Sequence, residues 1–252
     1  MVFDRPVGGT SAVGFGRTAP SWVAVVVALV VSGDARAQDP VSELNGYLTL
    51  SSGYWRHGLA QTDDASLQLG IDYQHYSGFF AYARAMNVDY PQNYEGQTRD
   101  VEGSAYVGFH DRRDRWSWTV SAGRYFYPEA DGYDYDELSA SVGFRDRVFY
   151  TASYNDEYYV RGGPALNQEV SVAFPLLGDV EIGGAVGYFD VRGGGPKITH
   201  WHVGVSKLVG RMALDLRYYD GNYDWRNYLG DPDADHYVFS VSYALRRNRS
   251  PN

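Results

Sequence analysis

His200 and His202 are one residue apart, so in an extended segment both imidazoles fall on one face, where they could hold a metal. No third ligand is evident beside them, and two polar side chains on a wet surface is the plainer expectation. Asp231-Pro232-Asp233-Ala234-Asp235 gathers carboxylates suited to calcium, but it lacks the Gly and the distant Glu of a calcium loop. A solvated acidic loop is expected there. Six further carboxylates, Asp72, Glu102, Glu137, Glu169, Glu181 and Asp215, each stand in a segment of alternating character, as do Arg84 and Arg217. On one wall of a narrow passage such carboxylates favour cations. Paired with Arg84 and Arg217 they would instead fill an interior, and both readings stay open. Ester-cleaving chemistry needs a serine within reach of a histidine base. The histidines are His57, His75, His110, His200, His202 and His236. The alternation turns His110, His200, His202 and His236 to the polar face, gives no His–Ser pair on the apolar face, and no Gly-x-Ser-x-Gly elbow is present. The chain is therefore not expected to be an enzyme, and no cofactor is called for.

The elements that must position these groups are read from period-two alternation. Strands are expected near 46–54, 66–75, 79–88, 100–110, 116–127, 135–145, 148–157, 168–175, 179–190, 198–208, 211–219 and 236–245. That is twelve, an even number. Short connectors (76–78, 111–115, 145–147, 176–179, 209–210) alternate with longer ones at 55–65, 89–99, 128–134, 158–167, 191–197 and 220–235. Short turns at one end and long loops at the other, with both termini on the short-turn side, are the layout of an antiparallel up-and-down transmembrane β-barrel. The fold expected is thus all-β, a barrel of about 12 strands.

The alternation also sorts the faces. One set contains Leu48, Leu50, Leu67, Leu69, Ile71, Val107, Val120, Leu138, Val142, Val170, Ile182, Val186, Val203, Val205 and Leu216. The other contains Thr49, Gln68, Ser104, Thr119, Ser121, Ser139, Ser141, Ser171, Ser206, Ser240 and Ser242 with the ionisable residues named above. The first reads as a lipid belt and the second as a lumen. Aromatics cluster at both ends of the apolar face. Tyr73, Phe79, Phe109, Trp118, Phe144, Tyr150, Phe174 and Tyr243 lie near the short turns, and Tyr54, Phe126, Tyr154, Tyr188, Trp201, Tyr218 and Tyr237 near the long loops. Two such belts match the two interfaces of a bilayer. The ring-rich stretch Gly123 to Phe144, with Tyr125, Phe126, Tyr127, Tyr133 and Tyr135 around Pro128, is expected to cross the outer interface as a hairpin. A water-soluble barrel would bury the apolar set and could not use two belts.

Residues 1–37 bear on the compartment. Arg5 and Arg17 precede Trp22 to Val31, and Ala35-Arg36-Ala37 places small residues at the −3 and −1 positions. This is the pattern of a secretory signal peptide cleaved before Gln38, leaving residues 38–252 as one barrel domain. The apolar run is too short for a spanning helix. The formal charge is −9 and cysteine is absent, so no disulfide, lipoprotein anchor or thiolate site exists. An acidic exported chain is a poor partner for nucleic acid. Mean hydropathy of −0.40 alongside 23 Tyr and 29 Gly suits a barrel in which half of each strand faces water.

Residues 51–90 add a resemblance. Ser52, Tyr54, Gln61, Thr62, Gly70, Asp72, Tyr73, Ser77, Gly78 and Phe79 fall as in the opening of the TorF-like porins, a proteobacterial family also catalogued as Gcw_chp. The segment Tyr125 to Pro128 with Tyr135 to Leu138 is similar to a second hallmark. The resemblance spans about residues 44–160. His57, Ala60, Tyr82 and Arg84 depart from its pattern. It implies an outer-membrane location and a pore, with no substrate attached.

The expectation is an outer-membrane passive diffusion channel for ions or small polar solutes. A non-conducting barrel with a structural or binding role is the alternative, and a barrel lipase the third. Membrane lipid, lipopolysaccharide, the barrel-assembly machinery and small solutes are the partners implied.

Overall fold

The computed structural model describes residues 42–62, 64–90, 99–128, 130, 133–158, 163–193, 195, 197–222 and 236–246. The signal segment and the acidic loop 231–235 lie outside them. Fourteen strands are present among the described residues: β1 (Glu43–Ser51), β2 (Tyr54–Arg56), β3 (Leu59–Thr62), β4 (Ser66–Gln74), β5 (Phe79–Tyr90), β6 (Arg99–Arg113), β7 (Trp116–Phe126), β8 (Tyr135–Phe144), β9 (Val148–Asn155), β10 (Ala165–Pro175), β11 (Val180–Val191), β12 (Lys197–Val209), β13 (Met212–Gly221) and β14 (Tyr237–Arg246). Twelve of them close an antiparallel barrel, in which β1 pairs with β4 on one side and β14 on the other. Closure removes every sheet edge, so each backbone donor in the wall can be satisfied without water. β2 and β3 pair only with each other.

The short turns carry the backbone signature of tight hairpins. Arg145 and Asp146 (φ 54° each), Asp179 (φ 60°) and Gly210 (φ 63°) all sit in the left-handed region that reverses a twisted ribbon tightly. Asn45 pairs with Arg246 and Glu43 with Gln74, so both described ends lie at the short-turn rim.

The apolar set faces out. Leu69, Leu138, Val142, Val186 and Phe239 are exposed, whereas Thr49, Gln68, Ser104, Ser139 and Ser242 are buried inside. Inward hydroxyls pair across the wall at 3.0 Å: Thr49 with Ser242, Thr151 with Ser141, Ser153 with Ser139. Large inward rings lie flat along it. Tyr47 covers Gly70 on the neighbouring strand, where any Cβ would collide with the ring. Outside, Phe109 meets Trp118 (5.6 Å) and Trp116 meets Phe144 (4.9 Å) on the short-turn side, while Tyr218 meets Trp201 (5.5 Å) and Tyr237 (4.9 Å) on the loop side. The guanidinium groups of Arg145, Arg147 and Arg211 sit over Phe144, Phe174 and Tyr243. At that rim, Asp146 pairs with Arg112 at 2.6 Å, yet partial burial raises its carboxyl above the ordinary range.

Two expectations fail. The connector 55–65 is not an outer loop, because residues 54–62 turn back into the barrel as the β2–β3 hairpin, and Tyr54 leaves the belt to become fully buried. Of the rings around Pro128, Phe126 faces out, but Tyr125, Tyr127 and Tyr135 are buried within the barrel. The reason is parity. Tyr125 shares its face with Thr119 and Ser121, and Tyr135 with Glu137, so burying their rings inside needs no twist of the strand.

Candidate functional site: a hairpin across the lumen

β2 and β3 are joined by His57-Gly58, both at positive φ (52° and 79°), the two-residue turn that matches strand twist. Ser52 fastens the entry to β14: its amide donates to the Phe239 carbonyl at 2.9 Å, and its hydroxyl accepts from the Phe239 amide at 3.1 Å. From there the hairpin touches opposite walls. Trp55 stacks on Tyr219 of β13 (6.1 Å, 7°) and lies 5.4 Å from His236. His57 at the tip stacks on Phe189 of β11 (4.7 Å) and stands 6.1 Å from His200 of β12. The tip is seated so closely that a Cβ on Gly58 would fall 2.6 Å from the His200 Cβ.

On the other side Arg56 reaches β6. Its Nη1 donates to Glu102 Oε1 at 2.8 Å, its Nη2 approaches the Tyr127 hydroxyl at 3.4 Å, and its guanidinium lies 4.8 Å from the centre of the Tyr125 ring. Tyr127 donates its own proton to Glu102 Oε2 at 2.8 Å. A second cation stands on the wall: Arg84 Nη2 is 3.7 Å from the same Oε1, while its Nε donates to Ser104 at 3.2 Å and its Nη2 to the Tyr54 hydroxyl at 3.4 Å. Glu102 and the arginine side chains are at most 1% exposed. Buried charges persist only when paired and hydrogen-bonded, and this carboxylate is served from both the hairpin and the wall. A chain of rings connects the sides: Tyr82 to Tyr106 (4.9 Å), Tyr106 to Tyr125 (5.8 Å), Tyr125 to Tyr135 (4.7 Å), Tyr135 to Tyr158 (5.4 Å) and Tyr158 to Phe189 (5.1 Å).

The ten pore-lining candidates, Asp72, Arg84, Glu102, Glu137, Glu169, Glu181, His200, His202, Asp215 and Arg217, all turn inward, but they form separate groups. Glu137 accepts from the Tyr106 hydroxyl (2.9 Å) and Asn155 Nδ2 (3.1 Å). Asp72 accepts from Asn45 at 3.3 Å. Asp215 takes a two-pronged bond from Arg217 (3.2 and 2.9 Å), and a third Arg217 nitrogen reaches His202 Nδ1 at 3.0 Å. That nitrogen must accept, so His202 is engaged as a neutral ring. His200 Nε2 meets Asn167 Oδ1 at 3.2 Å. Glu169 and Glu181 are half-buried on the inward faces of β10 and β11. Among the described residues no three His, Asp or Glu side chains gather as metal ligands. Arg84 and Arg217 belong to different groups, Arg84 beside Glu102 and Arg217 on Asp215. One expected absence is overturned: His75 Nδ1 and Ser77 Oγ are 2.7 Å apart in the exposed turn after β4. The Ser77 amide points to the same nitrogen (3.3 Å), and the hydroxyl faces the Phe79 amide, so the pair closes a turn.

Arg56 and the hairpin are what sequence reasoning missed. The signal was there: Tyr54-Trp55-Arg56 and Leu59-Ala60-Gln61-Thr62 are short strand-forming runs separated by two residues ending in Gly.

Similar barrels are known. A KdgM porin in complex with disordered oligogalacturonate aligns at 9% identity over 82% of this chain and 100% of that one, with a TM-score of 0.48. A structure from work on in-meso crystallization of membrane proteins aligns at 8% identity over 82% and 85%, with a TM-score of 0.50. Salmonella typhi OmpF in complex with daunomycin aligns at 10% identity over 82% and 98%, with a TM-score of 0.42. At such identities the likeness concerns the fold alone. No curated protein matches the chain. The model of a family described as "Bacterial protein of unknown function (Gcw_chp)" matches residues 34–244, and the chain belongs to that family.

Proposed function

We propose that the protein is an outer-membrane channel of the porin type, TorF-like in kind, passing ions and small polar solutes around a hairpin that narrows its lumen. The observation that carries this reading is a closed twelve-strand wall, apolar outside and lined inside by many charged and hydroxyl side chains interspersed with rings. Twelve strands stand between the eight that side chains can fill and the sixteen or more of open porins, so a modest passage is expected. The two belts support an outer-membrane setting, in which Arg145, Arg147 and Arg211 would bring cations to lipid-headgroup level at the short-turn rim. Export through residues 1–37, assembly by the barrel-assembly machinery and contact of the loops with lipopolysaccharide belong to the same reading.

The test is conductance in planar bilayers. Small, discrete steps are expected from the wild type, and larger ones when residues 54–62 are replaced by a short Gly-Ser linker. A folded barrel that gives no steps in either form would refute the channel. The burial of residues 54–62 favours a second reading, a barrel that does not conduct while the hairpin is seated. Steps from the linker form alone would select it.

A further inference from the structure

We infer that the hairpin is a releasable gate, held by Arg56 on Glu102 and freed because Arg84 takes over that carboxylate. The inference rests on the channel reading and adds to it what permits opening. Three observations lead to it. The hairpin has no backbone ladder to the barrel; its strands pair only with each other. Its hold on the wall is made of side-chain contacts. Among them are two ring stacks, the packing of Tyr54, Trp55, Leu59 and Ala60 in the buried apolar cluster, the Tyr54 and Tyr127 hydroxyl bonds to Arg84 and Arg56, and the Arg56–Glu102 ion pair. Third, the acceptor of that ion pair is doubly served. If Arg56 leaves with the hairpin, Glu102 still has the Tyr127 proton at 2.8 Å and a guanidinium on the wall at 3.7 Å, within a small side-chain movement of a direct bond.

A lone carboxylate in that position would hold its partner permanently, because releasing it would strand a buried charge. Arg84 removes that obstacle. It is therefore a positioning residue for opening, although it belongs to the wall. While the hairpin is seated, the two arginines face one carboxylate and repel each other, which also favours release. On release Arg56 passes to the loop side, where water solvates it. The gate then carries one positive charge.

The chain has no cysteine, so one introduced thiol reports on the hairpin alone. Ala60 is small and buried in β3, and Ala65 is exposed beyond the hairpin. In reconstituted vesicles, Ala60→Cys should react slowly with a membrane-impermeant maleimide, and Ala65→Cys rapidly. Arg56→Gln should raise the Ala60→Cys rate by about tenfold or more, since it deletes the ion pair. Arg84→Met should lower it. Because Arg84 also bonds Tyr54, this comparison is made in the Tyr54→Phe background, which removes that bond from both forms. A fall of about tenfold is expected there, since Glu102 would be stranded by opening. If Arg84→Met does not fold, as judged by heat-modifiable gel mobility, Arg84→Lys carries the test. Its ammonium cannot reproduce the guanidinium fork, so a smaller fall is expected.

A rate that is unchanged or faster without Arg84 overturns the gate mechanism. So does an Ala60→Cys that never reacts even with Arg56→Gln, which would make the hairpin a fixed part of the wall. Labelling needs no current, so these outcomes are independent of whether the barrel conducts.

Discussion

Gly58→Ala isolates the seat of the hairpin from its folding. The substitution has two costs. A non-glycine residue at φ 79° loses about 1–2 kcal/mol, and a two-residue hairpin turn requires positive φ in the released hairpin as well, so this cost is expected to cancel. The second cost belongs to the seated state. The new Cβ would stand 2.6 Å from the His200 Cβ and 3.0 Å from Ile198 Cγ2. The His200 Cβ is fixed directly to the β12 backbone, so β12 or the tip must shift, and such overpacking costs about 1–3 kcal/mol. At 1.4 kcal/mol per factor of ten, the released fraction should rise about fivefold to 150-fold. The assay is maleimide labelling of Ala60→Cys with conductance recorded in parallel. Gly210→Ala is the control: it has φ 63° with nothing within 4 Å of its Cβ, so it carries the backbone cost without an overlap. Gly58→Ala should label faster than Gly210→Ala, and its mean conductance should rise. Equal labelling of the two, with both barrels folded, would refute the packing argument for the tip.

The lipid belt gives a second test: Leu69→Arg or Val142→Arg should cost about 2–4 kcal/mol in a membrane folding assay, and Ser141→Arg on the inner wall much less. A greater loss from the serine change would mean the faces are inverted. Weak cation preference is expected from the inward carboxylates, fading as salt shortens screening to about 3 Å at 1 M. Replacing both Glu102 and Glu137 with Gln should move the reversal potential toward zero in a salt gradient. An anion-selective wild type, or a double variant with unchanged selectivity, would remove the carboxylates from that role. Mass spectrometry of the exported protein should find Gln38 at its N-terminus, and a product retaining Trp22 to Val31 would exclude the proposed cleavage.

Twelve wall strands, their faces and the two belts were legible in the sequence, because a strand repeats every two residues and a bilayer accepts only one kind of surface. Leu69 beside Gln68, or Leu138 beside Glu137, can be assigned without knowing any partner. Parity even placed Tyr125, Tyr127 and Tyr135 inside; the expectation of rings at an interface obscured it. The hairpin was decided otherwise. Residues 54–62 read locally as a hairpin, but nothing local says whether a hairpin lies over a barrel or within it. That depends on a cavity that exists only once β1 meets β14, whose paired residues lie as much as 201 positions apart (Asn45 with Arg246). Arg56 likewise acquires a role only when closure brings Glu102 to within 2.8 Å, from 46 residues away. Periodicity is a property of neighbours along the chain, whereas a shared buried charge is a property of the closed wall, and the gate proposed here depends on the second.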